Sequence, residues 1–188
     1  MKLVFLLFTL TLWPSAAAAQ TLEIEIEDKP VKMRQTGRGT DTHPFLRFEV
    51  PICDVTSWVD EKSKVTTGLE LAKADEYKHI RIVMLRAFSG SQIGDGVLNV
   101  VRQNARGLDK ELAELRTFLV ARRVAKGDSW QVTHIKGKGL HVRQGDRQVF
   151  IASVALSRAF WDSYLGPLNA GDELAQALAS RLSKGKGW

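Results

Sequence analysis

Cysteine is almost missing from this sequence: Cys53 stands alone in 188 residues. A single thiol cannot close an intrachain disulfide, so the fold must rest on a buried core, for which the chain is long enough. Covalent haem attachment through Cys-x-x-Cys-His and zinc held by paired thiolates are excluded with it. Within Val50-Pro51-Ile52-Cys53-Asp54-Val55 the thiol is expected to be buried and inert. Long apolar runs are also scarce. The one candidate, Leu3 to Trp13 with Thr9 and Thr11 inside it, is roughly 11 residues, against the ~20 needed to span a bilayer. Catalytic signatures are missing too. Phe88-Ser89-Gly90-Ser91 lacks the glycine pattern of a nucleophile elbow. Gly37-x-Gly39 does not continue to a third glycine, and Gly94-x-Gly96 opens no βαβ unit, so dinucleotide binding is not expected. Glu23, Glu25 and Glu27 share one strand face and read as a solvated surface. The charge is +6, but the basic clusters Arg122-Arg123, Lys136-Lys138 and Arg181-Lys184-Lys186 have no interleaved aromatics. Nucleic acid is therefore not an expected partner.

What the sequence does contain begins with a leader. Lys2 is a short positive region, the apolar stretch follows, Pro14 breaks it, and Ala17-Ala18-Ala19 precedes Gln20 in a small-residue cleavage pattern. The expectation is a signal peptide over 1–19 and one domain over 20–188, periplasmic or secreted, with no transmembrane segment once the leader is removed. Leu22 to Glu27 alternates strictly and predicts a half-buried strand. Lys29 to Pro44 is polar, contains Gly37 and Gly39, and reads as a turn or loop with at most a short strand. Phe45 to Ile52 is strand-like, with Pro51 marking an edge or a bulge. A short helix near Leu69 and a strong strand over His79 to Arg86 follow. Ile93, Val97 and Val100-Val101 fall on one helical face; Leu108, Leu112, Leu115 and Leu119 form a second stripe. Strands are predicted at 130–135, 140–143 and 148–151, then a helix 154–165 capped by Ser153 and ended by Gly166-Pro167, then a helix 173–182 with Asp172 as its cap. Strands and helices in this order describe an α+β domain with a mainly antiparallel sheet.

Three segments carry a resemblance to a known family. Gly39-Thr40-Asp41-Thr42-His43-Pro44 running into Phe45 to Val50 is similar to the glycine-rich opening and first core strand of the bacterial chalcone isomerase-like proteins. Lys126-Gly127-Asp128 with His134-Ile135-Lys136-Gly137-Lys138-Gly139-Leu140 resembles their turn, strand and Gly-x-Gly hairpin. Phe160-Trp161-Asp162-Ser163-Tyr164-Leu165-Gly166-Pro167, with Leu174, Leu178 and Leu182 beyond, resembles their last two helices. The resemblance implies an open-faced β-sandwich, a large antiparallel sheet packed against a layer of helices, with a ligand cleft between them. It also implies either flavanone-forming cyclisation without a cofactor or, in non-catalytic members, fatty-acid binding. The arginine of the enzymes aligns with His43, with Arg38 a displaced candidate. Their Tyr, Lys and Asn positions align with Ile93, Gly96 and Val100, none of which can hold an oxyanion or move a proton; a shift of one residue would bring Asn99 into play but still no Tyr or Lys. The implied reading is a non-catalytic protein that binds a small apolar ligand such as a fatty acid and needs no cofactor. Its cleft residues are Arg38, His43, Phe48, Ile93, Val97, Val100 and Trp161. Trp130, Phe150, Phe160 and Tyr164 are further aromatic residues for the core or cleft wall; protein partners are not readable.

Two alternatives remain at this level. If Gly137-Lys138 were a two-residue hairpin loop, His134 and His141 would face each other and could grip a metal or haem iron. No Cys, Asp or Glu pattern nearby completes such a site. The other alternative is a structural or interaction protein whose cleft is filled by side chains.

Overall fold

The computed structural model describes residues 21–45, 48–169 and 171–182; the leader lies outside them. Seven strands form one sheet in simple sequence order, each antiparallel to the next. They are β1 (Thr21–Ile26), β2 (Lys29–Phe45), β3 (Phe48–Asp60), β4 (Lys78–Met84), β5 (Ser129–Ile135), β6 (Gly139–Gln144) and β7 (Arg147–Ile151). Five helices, α1 (Gly68–Lys73), α2 (Gly90–Asn104), α3 (Asp109–Val120), α4 (Val154–Leu165) and α5 (Asp172–Ala179), pack on one face. The α+β assignment and the helical layer over an antiparallel sheet hold as expected.

The polar segment 29–44 is the main departure: it is a 17-residue strand rather than a loop. Polarity misled because only one face of β2 is covered, and the glycines serve an approach rather than a turn. A Cβ on Gly37 would lie 2.0 Å from the carbonyl oxygen of Ala177, and one on Gly39 would lie 2.8 Å from the Ala177 methyl. Without those carbons, α5 can lie directly on β2. Pro51 behaves as expected. It sits where the β2–β3 register slips between Asp41↔Cys53 and Thr42↔Pro51, beyond the reach of β4.

Local signals place the helix starts. Thr67 with Glu70, and Ser89 with Gln92, form reciprocal capping boxes, and the Ser153 hydroxyl accepts from the Leu156 amide. At α5 the cap is Gly171 and Asp172 is the first helical residue, one position earlier than the spacing predicts. The core joins Val55, Ile80, Ile82 and Val132 of the sheet to Leu98, Leu115, Leu156 and Phe160 of the helices.

Candidate functional site

Between the sheet and α2, α3 and α4 lies a cavity of about 510 Å³, within the ~300–1,000 Å³ usual for small-ligand sites. Its floor is apolar: Ile82 and Met84 from β4, Trp130 and Val132 from β5, and Val142 from β6. Alternation sets this floor, because every second residue of each strand points to the helical side. Ile93, Val97 and Val100 of α2 supply one wall, and Phe160 and Tyr164 of α4, one turn apart, supply another. The polar lining is Thr42, His43, Gln92 and Asn99, with Asp41 beside Cys53 on the neighbouring strand.

Four of the seven residues expected in the cleft, His43, Ile93, Val97 and Val100, line the cavity. Two do not. Arg38 points to the opposite sheet face, where its exposed guanidinium pairs with Asp54 at 2.9 Å while Thr40 donates to the same carboxylate at 2.7 Å. Those contacts hold the Asp54 carboxyl below its usual range, the Thr40 hydroxyl first. Trp161 is fully buried but away from the cavity. It sits about 100° round α4 from Phe160, its ring beneath the Lys78 ammonium at 5.0 Å. The side chain of Phe48 lies outside the described residues. Of the aromatic set, Trp130, Phe160 and Tyr164 line the cavity, while Phe150 is exposed on the far sheet face.

Residue spacing did not single out Asp41 as a site group, and it marked Tyr164 only as an aromatic of the core or cleft wall. Burial raises the Asp41 carboxyl above its usual range, against the Thr42 amide and His43, which lower it. Burial, with Cys53 and Asp41 nearby, pushes the Tyr164 phenol up. It likewise pushes the Cys53 thiol up to about 12, so the thiol stays protonated and inert. The tyrosine has no lysine beside it among the described lining residues, and the Ile93, Gly96 and Val100 positions add no proton-handling group.

The histidine pair does not form. β5 and β6 pair Thr133↔His141 and His134↔Leu140, because the loop is three residues, closed by the Lys138 amide on the Ile135 carbonyl. Gly137 takes a positive φ of 68° within it. One residue of slip sends the two imidazoles to opposite faces. His141 joins His79, Gln131, Arg143 and Phe150 in a second hollow on the far side, under β1. His134 is buried among the helices: its Nδ1 lies 2.7 Å from the Ser157 hydroxyl and its Nε2 2.8 Å from Asp75. The Asp75–His134–Ser157 chain has the composition of a hydrolytic triad, but its serine is fully buried and lines neither cavity. A nucleophile must be reachable, so this chain ties the α1–β4 connection, β5 and α4 together instead. Among the described residues no group of three or more His, Cys, Asp or Glu could hold a metal ion, and no helix is long and apolar enough to cross a membrane.

No protein-family profile matches the chain, and no curated protein matches it. Among solved structures, a fatty-acid binding protein of Arabidopsis thaliana is similar: TM-score 0.63 at 13% identity, covering 86% of this chain and 97% of that one. At that identity the likeness concerns the backbone path. The chain has the chalcone isomerase-like fold, an open-faced sandwich of one curled antiparallel sheet and a helical layer.

Proposed function

We propose that this chain is an exported, non-enzymatic relative of the chalcone isomerase-like proteins that holds a single-chain apolar molecule, such as a fatty acid or another lipid of that shape, between sheet and helices. The observation that carries this reading is the cavity of about 510 Å³ with an aliphatic and aromatic floor, in a fold shared with a fatty-acid binding protein. Displacing water from such walls is favourable by about 25 cal/mol per Å² of apolar surface covered. Among the described lining residues no lysine stands beside Tyr164. Burial pushes the Tyr164 phenol up, and in the register read from the resemblance aliphatic side chains and glycine stand at the places of the enzymes' other groups. Export rests on Lys2, the apolar run Leu3 to Trp13 and the alanines before Gln20.

Val97 is half-buried in the cavity wall, so a ring placed there takes up ligand volume without replacing a central core residue. Val97→Phe should weaken binding of the neutral apolar fluorophore N-phenyl-naphthylamine by about tenfold, ~1.4 kcal/mol. The melting temperature should stay within a few degrees of the parent. Unchanged affinity in a folded variant, or no uptake of the probe by the parent protein, would refute the reading.

A further inference from the structure

One carboxylate stands among the described residues lining the cavity. Asp41 lies on the helical side of β2, with Cys53 as its cross-strand partner, and Tyr164 of α4 lines the same cavity. Its surroundings offer little positive charge. His43, two residues along the strand, also lines the cavity, and it and the Thr42 amide act against burial to favour the charged carboxyl. Arg38 is committed to Asp54 on the other sheet face, and no lysine or arginine is among the described lining residues. The thiol and phenol beside Asp41 both remain protonated. The described polar lining is therefore one carboxyl, the His43 imidazole and the uncharged groups of Thr42, Gln92, Asn99 and Tyr164.

Resting on the reading that the cavity holds an apolar tail, we propose that the head group is selected by Asp41, and that the preferred ligand carries an amine rather than a carboxylate. A second carboxylate placed beside Asp41 in a poorly solvated space cannot ionise together with it. The two must share a proton, and that cost is charged against binding. An alkylammonium does the reverse, supplying the partner Asp41 lacks and donating a charge-assisted hydrogen bond to it. A hydroxyl head can donate to the same oxygen without full charge, so an alcohol falls between. Net surface charge works against this order: at +6 the protein as a whole attracts carboxylates and repels ammonium groups. A preference for the amine would thus report the cavity and not the surface.

The test is calorimetric titration of the full purified chain at neutral pH with dodecylamine, dodecanol and dodecanoate, each below its aggregation concentration. Dodecylamine is expected to bind at least about tenfold more tightly than dodecanoate, a difference of ~1.4 kcal/mol, with dodecanol between them. Asp41→Asn keeps the shape and should remove most of the difference, while Val97→Phe should weaken all three. Dodecanoate binding as tightly as dodecylamine would overturn the head-group assignment and leave the apolar-tail reading standing. So would an amine preference that survives in a folded Asp41→Asn. Absence of binding by all three probes would refute the tail reading, and the head-group assignment with it.

Discussion

At Gly96, in the middle of α2, an added Cβ would meet no atom within 4 Å, whereas at Gly94, two residues earlier, it would lie 2.6 Å from the Val120 side chain of α3. The helix is weakened by both glycines, yet only one is needed for packing. Gly96→Ala should therefore stabilise the protein by ~0.5–1 kcal/mol, because alanine loses less backbone freedom on folding. Gly37→Ala should destabilise by ~1–3 kcal/mol or more, since its new carbon meets the backbone of α5 and not a movable side chain. Urea midpoints of the two variants measured beside the parent would check both. A loss at Gly96 or no effect at Gly37 would contradict the packing described. A sequence shows that a glycine is present; the neighbour that requires it comes from another part of the chain, here more than 130 residues away.

Among the elements, α1 shows how one buried side chain finishes a short helix. Lys78 opens β4, is 1% exposed, and donates to the Leu71 and Ala72 carbonyls at 3.1 and 3.0 Å. Those carbonyls belong to the end of a six-residue helix, where backbone acceptors lack partners. Lys78→Met should cost ~1–3 kcal/mol by leaving them unpaired. Burial pulls the amine down to about 7, with Asp162 opposing. Between that value and the ~10.4 of an unfolded lysine the unfolded chain binds more protons, so stability should rise with pH there, by at most ~1.4 kcal/mol per unit. Denaturant midpoints at pH 7 and 9 should show this rise in the parent and lose it in Lys78→Met. Element existence and type were largely readable: alternation marked β1, strand-like apolar runs marked β4 and β5, helical spacing marked α2, and the Ser153 cap marked α4. β2 was not, because a strand with one solvated face and two glycines has the composition of a loop. The β5–β6 register was also hidden, since two- and three-residue loops share the residues Lys136 to Lys138 and only the backbone chooses.

Over the whole molecule the two sheet faces have different fates. One meets the helices and encloses the cavity. The other curls under β1, where Glu27 pairs with Lys138, and carries His79, 3% exposed, with Nδ1 2.9 Å from the Thr133 hydroxyl. Burial holds His79 at about 4, with Arg81 and His141 adding to the effect, and burial and Lys78 lower His134 despite Asp75. Both histidines stay neutral in the fold and protonate on unfolding. The His79 contribution is complete above the ~6.5 of an unfolded histidine and is lost as the pH falls toward 4, and that of His134 has the same sign. The raised carboxyls of Asp41 and Asp162 act in the opposite sense over part of that range. A comparison with His79→Gln isolates the term: between pH 6.5 and 4.5 the parent should lose more stability than the variant. Equal losses would show that His79 is not held neutral. Three of the exposed basic residues are also balanced at this scale, Arg122 by Asp146, Lys136 by Glu76 and Lys138 by Glu27, in keeping with a solvated surface.

The sequence by itself determined the class of the fold and the kind of wall the cavity has, because period-two and helical apolar patterns settle which faces turn inward whatever they later meet. It determined also that Ile93, Val97 and Val100 share one face of a helix. Tertiary structure alone decided that Asp41 joins His43 in lining that cavity while Arg38 and Trp161 are turned away, and that His134 and His141 never meet. Those outcomes depend on a strand bulge, a loop one residue longer and a rotation about a helix axis. Each is a small backbone displacement that moves a side chain to the other side of its element without changing a letter of the sequence.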